Sequence, residues 1–400
     1  MRRRIIIIGS NYSSTLGIVK SIAGDDYDII VIKIGVTKDI VSRSKFVSQY
    51  VVLNTEDPDI LKEYLIKYYG DKETKPLLIP VMDQVVKSID INYKELKDFF
   101  LLATINDTQG AIVQYMDKHL QKSLAIKAGF KVAKDWKVSI VAADYLIPSD
   151  IVYPCFTKAV KSVNGGKTFI KKCDTQEDLK RVLDLVAEKW QSTDVLIEEY
   201  KTIQQEYGVL GCCVSGKTYL PALVTKLSIG QGGHIGVTIQ GKVSPIDEAM
   251  PGLREKLQLF LSQFNYTGLC DFDLYMADNE FYFNEMNLRY GGFGFAIVGA
   301  GMNLPLLYAD SMFHKPGRGN QSISEIICLS DKANLDSFIA GYSDWKQYKA
   351  RIKASSFRFI VSQDDIRPTK AFLAMEARAR IRNILKSLSK KFKIEKSSLN

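Results

Sequence analysis

Histidine is scarce in this 400-residue chain, limited to His119, His234 and His314. The six cysteines, Cys155, Cys173, Cys212, Cys213, Cys270 and Cys328, never stand in C-x-x-C spacing. These shortages argue against a zinc site, and the cysteines read as single buried thiols in a reducing compartment. Long apolar runs are missing as well. Ile5–Ile8 follows directly on Met1-Arg-Arg-Arg and is too short for a signal-peptide core. Tyr290–Ala309 is uncharged over a membrane-spanning length, but five glycines, Asn303 and Pro305 interrupt it, so it reads as a buried loop and helix start. There is no internal repeat and no low-complexity tract. What remains is globular in composition, 46% hydrophobic and 25% charged, with material for a sizeable core. The net charge of +9 points to an anionic partner.

The first 115 residues alternate strand and helix patterns. Ile5–Gly9 is a continuous β-branched run, as in a parallel strand buried on both faces. Further strands are expected at Asp28–Ile34, Tyr50–Leu53 and Pro76–Val81, with helices running to Ile22 and over Pro58–Tyr69. This is the rhythm of a doubly wound α/β domain, whose ligands bind beyond the carboxyl ends of the strands, here near Ser10, Asn11 and Asp83. Gly9–Gly17 is not the G-x-G-x-x-G fingerprint. Its polar tip either presents amides to an anion or is an ordinary strand-to-helix turn. A helix is expected over Met116–Ala128, ended by Gly129. Mixed α+β patterns fill 135–310, Ser355–Val361 is a short strand candidate, and from Glu376 the chain is basic and helical.

The most informative segment is Asp271–Arg289. It alternates apolar and polar residues on both sides of Asp278-Asn279, the pattern of a β-hairpin. With a loop at Asp278–Glu280, Asp273 stands opposite Glu285, and Asn287 shares their face. Two facing carboxylates repel unless a cation lies between them, and such hard oxygen donors suit Mg²⁺. The bland alternative is a solvated acidic edge. Arg289 adds a planar cation for a phosphate or carboxylate oxygen. Tyr153–Lys158 reads as a strand ending in a lysine beside the Gly-containing loop Lys161–Lys167. Without Walker A spacing, that pair can still set a point charge and amides around a polyphosphate. Val195–Tyr200 is an apolar strand ending in Glu198 and Glu199. It either offers its backbone to an adenine edge, with Glu206 for ribose hydroxyls, or is an ordinary edge strand.

Several spacings combine. Asp117-Lys118 with Gly129 eleven residues after the lysine, Tyr-Pro-x-x-x-Lys158, the Ile-Glu-Glu-Tyr200 strand and Asp273-x₁₁-Glu285-x-Asn287-x-Arg289 together resemble the ATP-grasp enzymes. The likeness spans roughly residues 1–310, and biotin carboxylase has similar spacings. The Asn-Leu-Arg form, the strand before Asp83 and the segment Leu227–Val237 look most like carboxylate–amine ligases of the D-aspartate ligase type. The resemblance implies a doubly wound pre-ATP-grasp domain over 1–115 and a two-subdomain α+β ATP-grasp domain over 116–320. Its lid would cover about 137–225, and a C-terminal extension would follow over 321–400.

The resemblance also implies roles. Lys118 and Lys158 would contact ATP phosphates from the two halves of a cleft. Glu198, Glu199 and Tyr200 would hold the adenine, and Glu206 the ribose. Asp273, Glu285 and Asn287 would ligate Mg²⁺, with two ions expected and Mn²⁺ an acceptable substitute. Arg289 and Lys158 would serve catalysis, Arg289 by stabilising the transferring phosphoryl or an acyl-phosphate. Ser162–Lys167, with only Gly165 and Gly166, would fold over the triphosphate. Ser10, Asn11, Asp83 and His234 would face the substrates, and Lys226–His234 would lie near the reacting groups.

The function so implied is an ATP-dependent carboxylate–amine ligase. It would form an amide or peptide bond on small-molecule carboxylate and amine substrates, of an amino-acid or cell-envelope kind. A bicarbonate-using carboxylase or carbamoyl-phosphate-type enzyme, and a non-catalytic ATP-binding regulatory protein, are the alternatives. Residues 376–400 carry eight Lys/Arg against two Glu, and Ile381, Ile384, Leu385, Leu388 and Phe392 recur at helical spacing. That is the pattern of an interfacial helix on an anionic membrane, where a lipid-linked acceptor could be reached. It is equally the pattern of a helix packed on the body with a basic outer face. No nucleic-acid module accompanies the charge. The expected location is cytoplasmic, peripheral on the inner face of the membrane if the tail binds lipid.

Overall fold

Alternation decides where each side chain of the N-terminal sheet points. In β1 (Arg3–Gly9), Ile5 and Ile7 enter one core while Ile6 and Ile8 enter another, so the strand is buried on both faces. It lies in a parallel sheet with β2 (Tyr27–Ile34), β3 (Gln49–Leu53) and β4 (Leu77–Pro80), ordered β3-β2-β1-β4. Helices Tyr12–Ile22 and Pro58–Tyr69 lie in crossover connections. The strand order reverses between β1 and β4, which opens a crevice at their carboxyl ends. Gly9 is required there, because a Cβ would come 2.3 Å from Val81 Cγ2. Ser10 is exposed just past β1, and Asp83 begins the helix Asp83–Ile91 just past β4. The computed structural model describes residues 2–10, 12–24, 26–161, 170–232, 236–316 and 322–397, with side chains up to Arg382 in the last helix. Asn11 lies outside the described residues.

The helix expected over Met116–Ala128 is two. Ala111–Tyr115 stops, and Lys118–Lys127 starts afresh because the Asp117 carboxylate accepts from the amides of His119 and Leu120. Gly129, at φ 80°, follows its end. This start puts Lys118 and Lys122 one turn apart on a single face.

After the short β5 (Thr104–Ile105), four strands form a small sheet: β6 (Asp135–Val141), β7 (Cys155–Ala159), β8 (Lys171–Cys173) and β9 (Ser192–Glu199), ordered β6-β9-β7-β8. One face packs Trp136, Val138, Val195 and Ile197 against Leu179, Leu183 and Val186 of the helix Gln176–Lys189. The other face carries Lys158 and Glu198. β9 is interior, paired with β6 and β7, so the edge-strand reading of Val195–Tyr200 is replaced.

The large sheet contains β10 (Gln205–Val214), β11 (Lys217–Tyr219), β12 (Ala222–Ile229), β13 (Thr238–Pro245), β14 (Tyr266–Ala277), β15 (Glu280–Asn287), β16 (Ile326–Leu329) and β17 (Phe357–Arg358). Its main order is β15-β14-β10-β12-β13-β16-β17, with β11 on β10 and β5 on β14. Because β16 and β17 join it, the sheet runs past residue 320. Within 290–309, the short helix Phe295–Gly299 and the start of Leu304–Met312 bury Ile297 and Leu304 in the core beneath it. All six cysteines are buried and unbridged. The C-terminal helix Ile366–Ser397 turns Thr369, Phe372 and Ala379 inward and leaves Ile366, Leu373 and Ile381 exposed. The side chains of Ile384, Leu385, Leu388 and Phe392 lie outside the described residues. Among the described residues no helix is long and apolar enough to cross a membrane.

Candidate functional site

The β14–β15 hairpin turns on two residues, Asp278 and Asn279, both left-handed at φ 52° and 57°. This loop is one residue shorter than Asp278–Glu280, and by itself it would pair Asp273 with Asn284. A bulge corrects the register. Leu274 pairs with Phe283, Asn284 is the extra residue, and Asp273 then stands opposite Glu285. The two carboxylates therefore face each other as expected, with Asn287 two residues on. The Asn287 amide lies 3.4 Å from Asp273 Oδ2.

Each carboxylate meets its own lysine. Lys118 Nζ, from the first turn of its helix, lies 2.9 Å from Glu285 Oε2. Lys226, on β12, bridges Asp273 at 2.7 Å and Glu206 at 3.1 Å. Burial alone would raise the Glu285 carboxyl, but Lys118, Lys158 and Arg289 outweigh it and hold it down at about 2. Burial works against the charge of Lys226 too, and Asp273 and Glu206 more than offset it, raising its affinity for the proton. Asp271, opposite Asn287 and two residues before Asp273, goes the other way. Burial first, then the charges of Asp273 and Glu285, push it up to about 8 against the pull of Arg289 and Lys226. It is mostly neutral at pH 7.

Arg289 is clamped from the N-terminal sheet. Its Nε donates to Asp83 Oδ1 at 2.7 Å and one terminal nitrogen to Oδ2 at 3.3 Å, a forked pair. That nitrogen also reaches Asn287 Oδ1 at 3.4 Å. Asp83 thus joins the crevice of the parallel sheet to the hairpin, whereas Ser10 stays at the crevice rim.

On the small sheet, Lys158 Nζ lies 2.7 Å from Glu198 Oε2 and donates to Asn284 Oδ1 at 3.1 Å. Lys122 contacts the other Glu198 oxygen. Burial opposes the Glu198 charge, yet Lys158 and Lys122 hold its carboxyl below the usual range. The Glu198 side chain thus engages lysines. Glu199 pairs instead with Lys201 at 2.8 Å, and Lys201 reaches Asp278 in the hairpin turn at 3.1 Å. The Tyr200 amide donates to Pro154 O at 3.1 Å, while its half-exposed ring carries the Lys172 ammonium 4.9 Å from its centre. The backbone of β9 up to Tyr200 is therefore engaged within the protein, which moves any free edge for an adenine beyond it.

Lys118, Lys158, Glu198, Glu206, Asp273, Glu285, Asn287, Arg289 and Asp83 thus lie in one network, together with Lys122, Lys226, Asn284 and Asp271. His234 and the loop Ser162–Lys167 lie outside the described residues. Lys226 opens the segment Lys226–His234 expected near the reacting groups; of the other three, Lys122 had a usable signal, standing four residues after Lys118 on a helix. Two carboxylates and one amide oxygen make a partial, hard donor set of the kind Mg²⁺ completes with waters and phosphate oxygens, so the residues present fit that ion. Among the described residues no three His, Cys, Asp or Glu gather into a metal site of their own.

No family model and no curated protein matches the chain by sequence. Solved structures do match by fold. N5-carboxyaminoimidazole synthetase from Staphylococcus aureus, solved with ADP, is 13% identical, with 86% of each chain covered and a TM-score of 0.61. L-amino acid ligase from Bacillus licheniformis is 14% identical, covering 78% of this chain and 74% of its own, with a TM-score of 0.56. Phosphoribosylglycinamide synthetase from Anaerococcus prevotii is 14% identical, at 82% and 80% coverage and a TM-score of 0.56. The chain therefore has the fold of the ATP-grasp enzymes.

Proposed function

We propose that this ATP-grasp chain is an ATP-dependent carboxylate–amine ligase. The observation that supports it is the contact of the small sheet with the hairpin: Lys158, paired with Glu198, donates to Asn284, while Lys118 pairs with Glu285 and Lys226 with Asp273. Lys158 and Lys118 would hold the triphosphate, with Glu206 near the ribose and the chain after Tyr200 near the base. Asp273, Glu285 and Asn287 would hold Mg²⁺. When bound, the ion neutralises phosphate charge.

A carboxylate is a poor electrophile, so activation must come first. A substrate carboxylate oxygen attacks the γ-phosphorus, the bond to the bridging β–γ oxygen breaks, and ADP leaves. The amine nitrogen of the second substrate then attacks the acyl carbon, loses a proton to solvent, and expels phosphate with the C–O electron pair. Arg289, held by Asp83, would stabilise the acyl-phosphate oxygens. The protein's part is alignment, charge neutralisation and exclusion of water.

The test is ADP release across a panel of amino acids, D-aspartate included, in pairs and singly, with bicarbonate as a further arm. Release that needs both a carboxylate and an amine fits the ligase. Release driven by bicarbonate alone makes it a carboxylase, and ATP binding without any release makes it a regulatory protein.

We infer also that the C-terminal basic helix meets anionic membranes. The support is the outward position of Ile366, Leu373 and Ile381, opposite Phe372 and Ala379, followed by a strongly basic sequence. Each basic residue near an acidic leaflet contributes about 1 kcal/mol. Sedimentation with phosphatidylserine vesicles tests it: binding that weakens with salt supports it, and no binding removes it.

A further inference from the structure

Glu198 is faced by two lysines of unequal freedom. Lys122, with its side chain 3% exposed, touches one carboxylate oxygen and donates to Ala133 O at 3.1 Å, with Asp135 Oδ2 a further 4.0 Å neighbour. Lys158 takes the other oxygen at 2.7 Å and spends a second N–H on Asn284 Oδ1 at 3.1 Å. Lys122 is fixed by the backbone of the segment leading into the small sheet, whereas Lys158, on β7 with its side chain 11% exposed, has a side-chain amide as its second partner. One carboxylate cannot fully neutralise two ammonium groups. At Lys158 the positive charge of Lys122 offsets part of the attraction of Glu198.

We propose that Lys122 is a positioning residue: it holds the Glu198 carboxylate and so leaves Lys158 available to an incoming phosphate. This rests on the nucleotide reading above. Removal of the Lys122 charge would leave Glu198 a single cation in a buried setting, where opposite charges attract strongly. The Lys158–Glu198 pair would then compete with the phosphate for the same ammonium. Lys122 itself need touch no ligand.

Affinity for Mg·ATP and for inorganic tripolyphosphate, measured by calorimetry on the full chain, distinguishes this from a packing role. Lys122→Met should weaken both ligands about 10-fold, the scale of one charge-assisted contact. Lys122→Arg should stay within about three-fold of the parent, since a guanidinium still reaches the carboxylate. Adding Glu198→Gln to Lys122→Met should recover most of the loss, because the competing carboxylate is gone. Glu198→Gln alone should bind tripolyphosphate at least as tightly as the parent, which keeps the test open if Lys122→Met does not fold. An unchanged affinity in Lys122→Met, a double variant as weak as the single, or weaker tripolyphosphate binding in Glu198→Gln would each overturn the proposal. If the parent binds tripolyphosphate but not ATP, the nucleotide reading fails while the lysine arrangement is still tested by tripolyphosphate. If it binds neither, both fall.

Discussion

The hairpin wall and the small-sheet wall of the cleft both bury carboxylates against lysines, but in opposite proportion. On the hairpin side, Asp273, Glu285 and the neighbouring Glu206 share Lys226 and Lys118, while the Asp83–Arg289 pair balances itself and Asp271 stays neutral. On the small-sheet side, Lys122 and Lys158 close on Glu198, with Asp135 4.0 Å from Lys122. One wall is short of positive charge, whereas on the other two ammonium groups close on one carboxylate. The two sides thus differ in charge, a difference that the proposed function uses for a cation on the hairpin and an anion beneath the small sheet. Of the lysines that pair with carboxylates, Lys118 and Lys158 are the ones that the proposed function assigns to the triphosphate.

Breaking the hairpin wall should cost most. Glu285→Gln keeps the volume and removes the charge, and ADP release at saturating Mg²⁺ should fall by at least about 100-fold while circular dichroism stays that of the parent. Near-normal turnover in the folded variant would remove Glu285 from the metal set. Breaking the other wall should cost less. Lys158→Met keeps the stem without the charge, so the ATP requirement should rise about 10-fold and turnover slow, as expected for the loss of one charge-assisted contact. Unchanged affinity and rate would make Lys158 a bystander.

The contrast can be sharpened through Asp271. Its carboxyl keeps a proton in the folded chain up to about 8, whereas the ordinary value is 3.8. Between those limits the folded state binds more protons than the unfolded one, so this group makes stability fall as pH rises, and the penalty is complete above the upper limit. In EDTA, Asp271→Asn should therefore gain Tm over the parent, with the gap widening from pH 5 to pH 8. A gap independent of pH would mean that Asp271 is ionised like its neighbours. The smallest effect belongs to a region off both walls. A chain ending at Arg382 should release ADP within about two-fold of the full chain, yet lose vesicle binding if the basic tail supplies it. Lost turnover in a folded truncation would tie the tail to the cleft.

The two walls also differ in how far the sequence disclosed them. Period-two alternation around Asp278-Asn279 marks the hairpin, and spacing leads to Asp273 opposite Glu285. The bulge at Asn284 that creates this register left no such mark, because one extra polar residue in a strand looks like ordinary alternation slipping by one. Lys158 and Glu198 stood out as strand ends, but their mutual pairing, and Lys122 beside them, depend on how a helix packs against a sheet. A lysine on a helix reads by default as solvent-facing. The Asp83–Arg289 clamp joins residues 206 positions apart, and contacts at that separation have no local signature. In the N-terminal sheet, where each strand is a short, mostly apolar run between turn residues, the expected strands and helices lie within a residue or two of the sequence reading.

The proposed division of the cleft is tested most directly by calorimetric titration of ATP into the parent chain with and without Mg²⁺. Binding should occur with Mg²⁺ and weaken strongly without it, Lys158→Met should lower affinity in both conditions, and Glu285→Gln should erase the difference between them. ATP that fails to bind the parent chain in either condition, or binds it equally in both, would contradict a cation wall facing an anion wall.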